Sequence, residues 1–192
     1  MQAKRGCLAL LLIMSASPVW AHVGWTASLG FAEGLWHPWS GADHLLAMSA
    51  LGFWAGRKKG RGRWLLPSLF LTGMVLGASL QALGVFSAAI AELWIALSLV
   101  MFAGVLVFWK NIDLRLAGTL ALLLAMGHGM AHAAEMPANA QALFYGAGFL
   151  LGSVLLHMTG FMLGRGQHRY VRGLEVSLAL GCAVLGAVGV AS

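Results

Sequence analysis

His37-Pro38-Trp39-Ser40-Gly41-Ala42-Asp43-His44-Leu45-Leu46-Ala47-Met48 decides how this chain is read. Two imidazoles and a carboxylate open a segment that is otherwise fit for lipid. Ionisable groups at membrane depth are costly, so they mark functional positions. A second cluster, His128-Gly129-Met130-Ala131-His132-Ala133-Ala134-Glu135, lies far downstream and reads as its partner.

Around these clusters the chain is apolar. Of its 192 residues, 60% are hydrophobic and only 9% charged. A soluble domain is about 25% charged, so this chain has too few polar groups to cover a globule. The prediction is an all-α polytopic membrane bundle surrounded by membrane lipid. At about 20 residues per span, there is room for six transmembrane helices after an N-terminal signal peptide. The net charge of +6 does not point to nucleic acid. The basic residues sit in short loops between apolar runs, where they set topology. Cys7 and Cys182 make neither a disulfide framework nor a thiolate metal site.

Residues 1–21 read as the signal peptide. Lys4 and Arg5 precede a short apolar run, Pro18 breaks it, and Val19-Trp20-Ala21 ends on small residues. Cleavage would leave His22 at the N-terminus of a 22–192 transmembrane domain, where its α-amine and imidazole can chelate a metal. Residues 24–35 read as a linker or interfacial stretch. The six spans are expected near 37–55, 64–83, 89–109, 114–133, 140–163 and 174–190, with Pro38 in the first turn of its helix. Arg57, Lys58, Lys59, Arg61, Arg63, Lys110, Arg115, Arg165, Arg169 and Arg172 then all fall on one side. That side is cytoplasmic by the positive-inside rule. Both mature termini face the periplasmic side of an inner membrane, as a cleaved leader requires. Spans one to three and four to six have opposite orientations, as in inverted-repeat transporters.

On a helix, His37, Gly41, His44 and Met48 form one stripe, with Asp43 beside it. His37 and His44 are about 10 Å apart along a straight axis. They are successive stations, or a bend near Pro38 and Gly41 brings them together. His128 and His132 are one turn apart, a bidentate metal platform, with Glu135 a further turn on. Both pairs fall near the outer mouth, with Glu92 and Gln81 at similar depth. His157 lies deeper, in the cytoplasmic half of span five. Taken singly, Glu92, His157 and Gln81 read equally as polar contacts between helices. Imidazole and carboxylate without thiolate suit Ni, Co, Zn, Cu(II) or Fe. A transport site must also release its ion, which favours few, flexible ligands.

At these residues the chain resembles the HupE/UreJ family of nickel and cobalt permeases. The family's first-span pattern HPxxGxDHxLAM is matched from His37 to Met48, and an HGxAHxxE-like pattern from His128 to Glu135. A leader followed at once by His is similar in Ala21-His22. The chain departs at Ala133, where members often have Gly. The resemblance implies a secondary permease, not an enzyme, taking up Ni2+ or Co2+ as its transported ion. It implies no catalytic cofactor and points to His37, Asp43, His44, His128 and His132, then Glu92 and Glu135. Two rival readings are an intramembrane metal-dependent enzyme and a haem or redox protein with His44 and His132 as axial ligands. The first lacks the Glu of an HExxH motif.

Overall fold

The computed structural model describes residues 29–108, 112–136, 140–166 and 168–191. The expected signal peptide and His22 lie outside the described residues. Among those described, the regular structure is helical throughout: α1 (Leu29–Ser40), α2 (Ala42–Arg57), α3 (Gly62–Ala82), α4 (Ala88–Val107), α5 (Leu114–Glu135), α6 (Ala142–Gly164) and α7 (His168–Ala191). Among the described residues, five helical stretches are long and apolar enough to cross a membrane: Gly62–Ala82, Ala89–Val107, Leu114–Glu135, Ala142–Gly164 and Tyr170–Ala191.

The expected first span, 37–55, is not one helix. It is split at Gly41, whose backbone is extended (φ −96°, ψ 125°). Pro38, expected in a first turn, lies instead near the end of α1. The stretch read as a linker is largely α1 itself. Gly34 lets it lie close against α6, where a Cβ would land on the Tyr145 carbonyl. The split has a local cause as well. A Cβ on Gly41 would sit 2.8 Å from Asp43 Oδ1 and 3.0 Å from His44 Nδ1. Glycine is what leaves room for that pair. Ser40 Oγ donates to the His37 carbonyl at 2.7 Å, satisfying one acceptor that the helix end leaves open.

α2 is the centre of the bundle. Every residue from Leu46 to Ala55 is buried, and α2 packs on α3, α4, α6 and α7. The outward faces of the other helices carry large exposed apolar groups such as Leu76, Leu97, Leu155 and Val184. That distribution suits lipid rather than water. α1 and α2 run one after the other along α6, α3 lies along α5, and α4 along α7. Exchanging α1–α2, α3 and α4 for α5, α6 and α7 in order maps these pairs onto themselves, the pattern of an inverted repeat. Glycines set the close approaches. A Cβ on Gly73 or Gly77 would meet the α5 backbone, and one on Gly160 or Gly164 the α2 backbone.

The helix ends follow local chemistry. Gly84 (φ +69°) closes α3 with its N–H on Gln81 O and the Val85 N–H on Leu80 O. Asp113 caps α5, accepting the Arg115 N–H at 2.8 Å and the Leu116 N–H at 3.4 Å. Those bonds, the Arg115 one first, hold its carboxyl below the usual carboxylate range. One end of the bundle, the basic end, carries the described lysines and arginines. The opposite end carries Glu33, Asp43, Glu92 and Glu135.

Candidate metal-ion site

α1 and α2 bring His37 and His44 to the acidic end from either side of the Gly41 break. α5 brings His128 and His132 to the same place. His132 lies between the other two elements. Its ring is 4.8 Å from that of His37 and 4.0 Å from that of His44. The His44 ring is in turn 5.0 Å from His128. The break thus lets both first-span histidines reach one partner, which a straight helix would prevent. Glu135 closes the outer edge: Oε2 lies 3.0 Å from His37 Nε2 and 3.6 Å from His132 Nδ1. Ligand atoms of His37, His132 and Glu135 all lie within 4.8 Å of one another.

The hydrogen bonds decide which nitrogen each buried imidazole offers. Asp43 Oδ1 accepts from His44 Nδ1 at 2.9 Å, leaving His44 Nε2 bare. Ser98 Oγ donates its one hydrogen to the Ile95 carbonyl at 2.7 Å, so at 2.8 Å it accepts from His128 Nε2. His128 Nδ1 is left bare. The Ser153 carbonyl accepts from His157 Nδ1 at 2.7 Å, leaving His157 Nε2 bare. His132 has neither nitrogen hydrogen-bonded. All these bare nitrogens are buried. A buried polar atom without a partner costs about 1–3 kcal/mol, and a carboxylate, hydroxyl or carbonyl behind an imidazole is how proteins orient a metal ligand.

Among the described residues, none of the remaining candidates is hydrogen-bonded or ion-paired to this group. Glu92 is exposed near the start of α4 and is hydrogen-bonded or ion-paired to none of these histidines. Gln81, near the end of α3, has a buried Oε1 without a partner. His157 sits deeper, beyond Phe70, whose ring is 5.7 Å from His128 and 5.1 Å from His157. The rings therefore line up as His37, His132, His44, His128, Phe70 and His157.

Ser98 and Phe70 were not singled out by the sequence. A serine or phenylalanine inside an apolar run carries no one-dimensional mark. The motif glycine Gly129 serves packing. A Cβ there would land on the Met74 carbonyl, so its absence seats α5 and His128 against α3.

A family model for HupE / UreJ protein matches residues 9–191. The chain belongs to the HupE/UreJ family. It is also similar to Protein HupE of Rhizobium leguminosarum bv. viciae, with 39% identity over 143 residues, 74% of each chain. No solved structure matches. This HupE/UreJ chain is therefore a multi-pass membrane protein whose helices gather four histidines at one end.

Proposed function

We propose that this HupE/UreJ chain is a secondary permease that takes up Ni2+ or Co2+ across an inner membrane. The observation carrying this reading is the row of buried imidazoles with bare nitrogens running inward from Glu135. Proteins rarely leave such atoms without partners, and a divalent cation supplies what they lack. Ni2+ and Co2+, among the metals an imidazole–carboxylate set accepts, follow from the family resemblance.

α1 and α2 together form the first of six crossings. α2 alone has 16 residues, about 24 Å of helix, against a hydrocarbon core of about 30 Å. The acidic end faces the periplasm, where Glu135 and Glu33 attract cations. Residues 1–21 are removed, and both mature termini lie on that side. The ion enters between His37, His132 and Glu135 and passes to His44 Nε2 and His128 Nδ1. Asp43 holds His44 and neutralises part of the ion's charge. Phe70 separates this group from His157, the next station, so an ion crosses only when that ring moves. A membrane potential of 100 mV, negative inside, favours entry of a divalent ion by about 4.6 kcal/mol. Glu92 is left out of the route.

The test is accumulation of radiolabelled Ni2+ and Co2+ by cells expressing the chain. Uptake above an empty-vector control, with each ion competing against the other, is the expected result. Uptake equal to the control, or a Soret band in the purified protein, would overturn the reading.

A further inference from the structure

The basic end holds a second cluster that the ion route does not use. A cavity of about 340 Å3 opens between the end of α2, the start of α3 and the end of α6. Its charged lining is Arg57, Lys58, Lys59, Arg63 and Arg165, with no carboxylate among the described residues. The floor forms where α2 and α6 touch at Gly56 and Gly164. Two of the guanidiniums lie over aromatic rings. Arg63 lies 5.8 Å from the Trp64 ring and Arg165 5.6 Å from the Phe161 ring. Those two rings stack on each other at 5.4 Å. Arg63 Nε is buried and has no hydrogen-bond partner.

Positive-inside topology explains why basic residues lie at this end. It does not explain their convergence on one cavity, where they repel one another. From Arg63 an apolar crevice of about 130 Å3 continues between α3 and α6. It passes Trp64, Pro67, Leu71 and Met158 to reach His157. A cationic cavity joined to an apolar crevice at the level of the membrane surface has the polarity of an anionic lipid. An inorganic anion would use the cavity alone.

We propose that this is a binding site for an anionic phospholipid. Its phosphate sits between Arg63 and Arg165, and part of one acyl chain fills the crevice. The exposed Trp64 indole lies at the headgroup level, where aromatic belts form. The seated headgroup also offsets the positive field that a cation leaving His157 would otherwise meet. Only that last consequence rests on the transport reading; lipid binding is measured without it.

The full chain in neutral detergent is titrated with dioleoyl phosphatidylglycerol or dioleoyl phosphatidylcholine and read by native mass spectrometry. The expected result is preferential retention of one phosphatidylglycerol, not displaced by inorganic phosphate. The double variant Arg63→Gln/Arg165→Gln should retain it about thirtyfold less tightly, and Arg63→Lys/Arg165→Lys should restore most of the loss. Val154 also lines the crevice, and Val154→Trp, which fills it without touching a charge, should weaken retention as well; retention unchanged in that variant would remove the acyl chain from the assignment. Circular dichroism confirms that each variant is folded. Equal retention of both lipids, unchanged binding in the glutamine variant, or displacement by inorganic phosphate would each overturn the assignment.

Discussion

At one end of this bundle, imidazoles from α1, α2 and α5 pack ring to ring, with His44, His128 and His132 shielded from water. At the other, five cationic side chains surround an open cavity. The residue types explain the contrast. A neutral imidazole loses no charge solvation when buried and keeps a lone pair for a metal. A lysine or arginine is buried only at great cost unless paired, so most of its charge stays where water or an anion can reach it. The fold pairs its helices with inverted-repeat symmetry, yet this chemistry breaks it. Both histidine pairs sit at the same end, whereas an inverted repeat would place one at each.

His132→Ala should have the largest effect on that comparison. It removes the imidazole shared by His37 and His44. Metal affinity of the purified protein should fall by at least about a hundredfold, since losing even an outer partner costs about 10- to 100-fold. Isothermal titration checks this, and the phosphatidylglycerol retention at the basic end should not change. Ser98→Ala comes next. It leaves the His128 tautomer unset and should weaken metal binding by about tenfold, whereas Ser98→Thr should recover it.

Phe70→Leu separates binding from passage. The swap keeps the position apolar but removes the ring, at a cost of about 1–2 kcal/mol in stability. Affinity at the histidine end should be unchanged, but cation leak into proteoliposomes should rise. Asp113→Ala should have the smallest effect, a slight loss of thermal stability. The lowered Asp113 carboxyl contributes stability above the usual carboxylate range and loses it as pH falls through its folded value. Asp113→Asn caps α5 without titrating, so its melting curve should lack that acid-side decline.

Much of this was legible in the sequence. Apolar length placed α3 to α7 within a few residues at most ends. The exception is α7, which begins at His168 rather than near Leu174, because the helix continues beyond its apolar run. The four histidines stood out because an ionisable residue in an apolar run is rare. The bend near Pro38 and Gly41 was legible as one of two alternatives; the choice between them turns on room for the Asp43 and His44 side chains. Two things were not legible. α1 reads as a linker because it is short and holds Glu33 and two glycines, whereas in the fold it packs along α6. Ser98 and Phe70 matter only through neighbours on other helices, and neither bears a charge to draw attention.

The most direct test of the central claim is the ligand shell of the bound ion. Nickel K-edge X-ray absorption on the Ni2+-loaded, purified full chain should show imidazole and oxygen ligands without sulfur. The imidazole scattering should fall in both His44→Ala and His132→Ala. A shell containing sulfur, or one identical in the wild type and both variants, would contradict the account.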